Sequence, residues 1–148
     1  MKIIYKTGDV TEAIEPAILH GCNAQGVMGS GVALAIRQKF PSAYMAYRGR
    51  YAGLGLPLGK IVAFRTEGKH IWNGITQFHY GAFKRQVNYE AIFTVLEEAN
   101  RFAVQGQIGA VAMPRIGAGL GGGKWRIIEA MIEETSTDYQ PIVYDYEP

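Results

Sequence analysis

Cysteine is almost missing from these 148 residues: Cys22 stands alone, so no internal disulfide framework is possible, which fits a reducing cytoplasm. Long apolar runs are missing too. No stretch approaches the ~20 residues of a membrane-spanning helix, and the opening M-K-I-I-Y-K-T-G-D lacks the shape of a signal peptide. A cytoplasmic chain without membrane contact is therefore expected. Surplus charge is small: fifteen basic against thirteen acidic residues leave +2, too little to argue for nucleic acid on electrostatics alone. The three histidines, His20, His70 and His79, keep no metal-ligand spacing, so no metal is expected, and no cofactor. With no repeat, linker or low-complexity tract, residues 1–148 read as a single domain, expected to be monomeric.

What the chain has in quantity is glycine, and its placement matters more than its count. Two clusters, at 26–31 and 117–123, hold eight of the nineteen glycines. The first lies in I-L-H-G-C-N-A-Q-G-V-M-G-S-G-V-A-L-A-I-R-Q-K-F-P (residues 18–41), where an apolar start leads through His20 and Asn23 to Gly26, Gly29 and Gly31. A helix-like run, Val32 to Phe40, follows and stops at Pro41. Strand, glycine loop and helix N-terminus in that order let backbone N–H groups converge on an anion. The second cluster, R-I-G-A-G-L-G-G-G-K, repeats this order between an apolar strand, Ile108 to Met113, and a helix from Trp125 to about Thr135.

The remaining pattern supplies the frame. Strands are expected at 2–6, 17–20, 60–65, 70–76, 108–113 and 142–146, with a short helix at 10–15 and longer ones at 42–50 and 88–105. The strands around Glu67-Gly68 read as an antiparallel hairpin, and residues 77–85 as a loop. Asn88 can cap the helix whose Ala91, Val95, Ala99 and Phe102 share one face. Strands joined by crossover helices imply a mostly parallel sheet covered on both faces. Ligands sit beyond the carboxyl ends of such strands. Both glycine loops should therefore emerge on one edge and define a cleft of diphosphate size.

Other readings of these residues are weaker. Gly117 to Gly122 formally match G-x-G-x-x-G, but on the last strand–helix unit no strands follow to complete a dinucleotide fold. A Walker loop fails because Ala118 replaces its first glycine and Trp125 follows Lys124. Met28 stands where a cysteine-phosphatase loop needs arginine, so Cys22 reads as a small buried thiol. His20, at a strand end, is either a satisfied core histidine or functional, and His79 lies in a polar loop. Asp9 either caps the short helix that follows or accepts from a purine amino group. Of Tyr144 and Tyr146, alternating on the last strand, one packs on the core and the other is solvated or stacked on a flat ligand.

T-G-D-V at 7–10, H-G-C-N at 20–23, M-G-S-G-V-A at 28–33, M-P-R-I-G-A-G-L at 113–120 and V-Y at 143–144 resemble the macrodomain family. They are similar to its small stand-alone branch, which contains ADP-ribose-1″-phosphate phosphatases and the terminal ADP-ribose glycohydrolase. The resemblance implies a three-layer α/β/α fold with a mixed, mostly parallel central sheet, and ADP-ribose or a derivative, free or on an ADP-ribosylated macromolecule, as ligand. It places Asp9 and the Val10 backbone at the adenine, and Asn23 near the distal ribose. Gly29, Ser30, Gly31 and Val32 form the first phosphate loop, and Gly117, Ala118, Gly119, Leu120, Gly121 and Gly122 the second. Tyr144 and Tyr146 cover the adenine or proximal ribose.

The sequence also departs from the family. Ala33, Gln77, Gly121 and Met28 stand where other branches carry a catalytic carboxylate, a lysine with its aspartate, and a histidine. Asn23, His20, Gln77, His79 and Tyr80 are left to orient water, with Asn23, His20 and His79 the catalytic candidates. A phosphomonoesterase acting on ADP-ribose-1″-phosphate is the least demanding chemistry for such a site. A non-catalytic reader and an ADP-ribosyl ester hydrolase are the alternatives.

Overall fold

The computed structural model describes residues 1–51, 53, 55–66, 68–80, 87–119 and 121–146. In chain order the elements are β1 (Ile4–Thr7), a 3-10 turn (Val10–Glu12), β2 (Ala17–Asn23), α1 (Gly31–Lys39), α2 (Pro41–Gly49), β3 (Ile61–Thr66) and β4 (Lys69–Gln77). Then come α3 (Tyr89–Gly106), β5 (Ala110–Met113), α4 (Trp125–Thr135) and β6 (Gln140–Asp145). The strands form one sheet in the order β1-β6-β5-β2-β4-β3, parallel throughout except for the antiparallel β3–β4 pair. The mixed, mostly parallel sheet of the sequence reading is thus present.

Successive side chains of a strand face opposite sides, and β2 shows why this sheet needs two covers. Ala17 and Leu19 join one apolar cluster with Ile92, Val95, Leu96 and Ile132 of α3 and α4. Ile18 joins another with Ile36 of α1 and Ala43 of α2. Helix α3 carries the largest apolar face: Asn88 Oδ1 accepts from Ala91 N at 3.0 Å, and Gln107, at φ +54°, ends it. Gly74 on β4 lets α3 approach, since a Cβ there would lie 2.6 Å from Val95 Cγ1.

Several boundaries differ from the pattern-based reading, three of them at elements near the expected site residues. Strand β2 continues past His20 to Asn23, because Gly21, Cys22 and Asn23 pair with Gly74, Ile75 and Gln77 across a bulge between Cys22 and Asn23. Strand β1 begins at Ile4 and is an edge strand, paired only with β6 among the described residues. The helix expected at 10–15 is a single 3-10 turn capped by Asp9. Glu67 of the expected hairpin turn and residues 81–85 of the expected loop lie outside the described residues.

The extension of β2 changes the reading of His20. The residue is fully buried, and its Nε2 lies 2.6 Å from Oδ1 of Asn73, its cross-strand neighbour. Asn73 Nδ2 donates to the carbonyls of Ala43 (3.3 Å) and Val62 (3.0 Å), so Oδ1 must accept and His20 is the Nε2–H tautomer. This network ties α2 and β3 to the sheet. Burial, partly offset by the bond to Asn73, pushes the His20 pKa down to about 4, against about 6.5 in an unfolded chain. As pH falls, the unfolded chain takes up the proton first. Stability from the neutral buried ring is therefore complete above about pH 6.5 and lost on descent towards 4. Urea denaturation should show a loss of roughly 2 kcal/mol between pH 7 and pH 5 attributable to His20. His20→Gln should flatten that dependence; an unchanged slope would contradict the buried neutral histidine.

Candidate active site

Neighbouring parallel strands β2 and β5 send their next helices to opposite layers, α1 to one side and α4 to the other. A gap opens where connections diverge in this way. Here it is a cleft of about 640 Å³, within the range of small-molecule sites. Its floor is made by the ends of three strands, at Gly21, Cys22 and Asn23, at Thr76 and Gln77, and just beyond β5 at Pro114, Arg115 and Ile116. The first glycine loop and the start of α1, Gly29 to Ala33, form one wall, and Gly117, Gly119 and Gly121 form the facing one.

Each wall offers backbone donors. Ser30 is extended and gives α1 no side-chain cap, while Gly31 starts the helix at φ +59°, a conformation that favours glycine. The N–H groups of Gly31, Val32 and Ala33 find no acceptor among the described residues, and the helix N-terminus adds a favourable field for an anion. The second loop closes on itself through Gly123 N to Gly117 O (2.7 Å) and Gly122 N to Gly119 O (3.1 Å). Gly117 has φ +77°, and a Cβ there would meet Val87 at 2.9 Å and Ile92 at 3.0 Å. Any other residue would spread the loop.

Among the described cleft residues Arg115 carries the only formal charge. Its Nε and Nη2 donate to the two Asp145 oxygens at 2.6 and 3.1 Å, and its guanidinium lies over the rings of Tyr5 (5.3 Å) and Trp125 (5.1 Å). The hydrogen bond from Arg115 holds the Asp145 carboxyl below its usual range. Buried Cys22 cannot act as a thiolate, since burial pushes its pKa up. Among the described residues no group of His, Cys, Asp and Glu could hold a metal ion, and no helix is long and apolar enough to cross a membrane.

Asn23, Gly29, Ser30, Gly31, Val32, Gly117, Gly119 and Gly121 thus line a common cleft, and Leu120 lies outside the described residues. The other expected residues stand apart. His20, expected as a catalytic candidate, is a fully buried core residue and is not among the residues lining the cleft. His79 is exposed, set edge-on against Phe78 and absent from the cleft wall; its carbonyl accepts from Gln77 Nε2 at 2.7 Å. Ala118 and Gly122 serve the turn rather than the wall.

Among the residues expected at the adenine, Asp9 Oδ1 accepts from Thr11 N and Oγ1, as a cap. Val10 is buried beneath it, and Tyr146 is exposed. Tyr144 does not stand free: its hydroxyl donates to buried Glu15 at 2.6 Å, and Lys6 Nζ lies 5.7 Å over its ring. None of these four lines the cleft.

Asn23 itself is more constrained than its motif suggested. Oδ1 accepts from Gln25 N (2.9 Å), Val27 N (3.3 Å) and Tyr47 OH (2.9 Å), while Nδ2 donates to Val27 O (2.7 Å). Only one amide N–H is left for the cleft. Thr76, Pro114, Arg115 and Ile116 are among the cleft residues missed as site candidates; for Thr76 and Arg115 a polar side chain at or just beyond a strand's carboxyl end was the available signal.

Residues 19–132 match the Macro domain family. The whole chain is 33% identical to an uncharacterised 17.5 kDa protein of enterobacteria phage T4, covering 99% of that protein. Over 86% of its length it is 31% identical to the DNA ADP-ribosyl glycohydrolase of Mycobacterium tuberculosis, and spans 36% of that longer protein. Over 95% of its length it is 28% identical to the ADP-ribose 1″-phosphate phosphatase of Scheffersomyces stipitis, covering 99% of it. The macrodomain of Mycobacterium tuberculosis DarG superposes with a TM-score of 0.86 at 27% identity, with 97% of each chain covered. Paired glycine loops on one edge of a mostly parallel six-stranded sheet, and a family match over most of the chain, agree: the protein belongs to the Macro domain family.

Proposed function

We propose that the cleft binds ADP-ribose and that the protein hydrolyses derivatives substituted at the 1″ position, ADP-ribose-1″-phosphate first among them. One observation carries the reading: the N-terminus of α1 and the Gly117–Gly123 loop face each other across a single gap, where their N–H groups can hold a diphosphate without lysines. Arg115 adds one cation, already partly neutralised by Asp145. The adenine extends towards Asp9, whose Oδ2 is free of the cap that engages Oδ1.

The chemistry is limited by what the described cleft lacks. It holds no carboxylate and no accessible histidine, so no side chain there can act as a strong general base. Hydrolysis then rests on orientation of water and on backbone donors that stabilise developing charge, with the free Asn23 N–H at the distal ribose. A phosphomonoester suits that mode, and the Scheffersomyces stipitis relative carries the corresponding name. Release of ADP-ribose from DNA is the second reading, favoured by the mycobacterial relative. We place the protein in the cytoplasm, as a single-domain monomer, consistent with its buried free thiol.

Calorimetry should detect ADP-ribose binding, and Asp9→Ala should weaken it roughly tenfold or more, the cost of a hydrogen bond to a charged acceptor. Unchanged affinity would remove Asp9 from the adenine site. Gly117→Ala should weaken binding about tenfold or more through backbone strain at positive φ; wild-type affinity in this variant would count against the second wall. Phosphate should be released slowly from ADP-ribose-1″-phosphate and not by Asn23→Ala. Equal release by both proteins would refute the phosphatase reading, and turnover of ADP-ribosylated DNA alone would replace it with the second.

A further inference from the structure

Helix α2 contributes nothing to the cleft wall, yet one of its side chains reaches the loop that does. Tyr47 is completely buried, and its single hydroxyl proton is shared between the Asn23 carbonyl (2.6 Å) and Asn23 Oδ1 (2.9 Å). A residue that only filled the core would need the ring. The hydroxyl is useful only to Asn23 and the turn it starts.

That turn is held from several directions. Gln25 N and Val27 N converge on the same Oδ1, which fixes the carboxamide with its oxygen towards the protein and its Nδ2 towards Val27 O and the cleft. Gly26, at φ +75°, lies so close to the end of α2 that a Cβ would meet Arg48 Nη1 at 3.0 Å and Tyr51 Cβ at 3.1 Å. Without the hydroxyl, the carboxamide loses one of three donors on its oxygen, and an inverted rotamer that turns Nδ2 away from the cleft becomes accessible.

We propose that Tyr47 is a positioning residue for the ligand site: through Asn23 it fixes the first glycine loop and aims the one free amide N–H of Asn23 at the distal ribose. The inference rests on the ADP-ribose reading of the cleft for its ligand, and on the hydrogen-bond geometry alone for its effect on the loop.

The test compares wild-type protein with Tyr47→Phe, which keeps the ring. In unliganded protein, amide hydrogen exchange at Gln25 and Val27 should accelerate about tenfold, while Ala99 in α3 stays unchanged. Asn23→Ala removes the acceptor of both amides and sets the upper limit of their acceleration; if Tyr47→Phe does not fold, Tyr47→Leu, which also lacks the hydroxyl, takes its place in the comparison. Unchanged exchange in the variants would overturn the proposal. In calorimetry with ADP-ribose, Tyr47→Phe should weaken binding about tenfold on its own and by several-fold less in the Asn23→Ala background, where only the bond to the residue-23 carbonyl remains, the non-additivity expected of residues in contact. Equal weakening in both backgrounds, or none in either, would also overturn it. Absence of ADP-ribose binding by wild-type protein would instead refute the function proposed for the cleft, leaving the exchange result to decide the role of Tyr47.

Discussion

The parallel pairing of β2 with β4 on one side and β5 on the other is the constraint on which the molecule depends. Parallel neighbours end on the same edge, so the loops that follow β2 and β5 must leave from one end of the sheet. Their helices then diverge to opposite layers because β2 alternates its side chains between two apolar clusters. Shared edge and divergent exits together make the cleft. Nothing in either glycine loop alone would do so.

The walls of that cleft are built of backbone, and the burden of shaping them falls on side chains on its floor and behind it. Val87, Ile92 and Ile128 press on Gly117, and Thr76 leaves no room for a Cβ at Gly21, which would lie 2.8 Å from its Oγ1. Tyr47 and Asn23 hold the opposite turn. A backbone site of this kind needs few charges: a helix N-terminus supplies partial positive charge without a desolvated ammonium group. That economy explains how a chain with so small a net charge can offer an anion site, and why Arg115, the one cation among the described cleft residues, can be tied to Asp145.

Much of this was legible in the sequence, for identifiable reasons. Glycine loops between apolar strands and periodic helices located both walls, and Asn88 and Pro41 marked helix starts that the structure contains. The macrodomain resemblance rested on five motifs, of which those at 20–23, 28–33 and 113–120 fall inside the family match. His20 and Tyr144 were less legible because their surroundings come from distant segments: Asn73 buries the histidine in a polar network, and Glu15 engages the tyrosine. Asn23 was found by its motif, but one of its four side-chain hydrogen bonds comes from Tyr47 on a separate helix, which no spacing rule reveals. Arg115 escaped notice because its importance follows from Tyr5, Trp125 and Asp145 meeting around it.

The central claim is that two backbone walls close on one diphosphate, and a crystal structure of the protein with ADP-ribose tests it most directly. The expected density places the two phosphates between the N–H groups of Gly31 to Ala33 and those of Gly117, Gly119 and Gly121, each wall donating within about 3 Å, the ordinary hydrogen-bond distance. A ligand held by one wall only, or bound elsewhere with the cleft left empty, would contradict it.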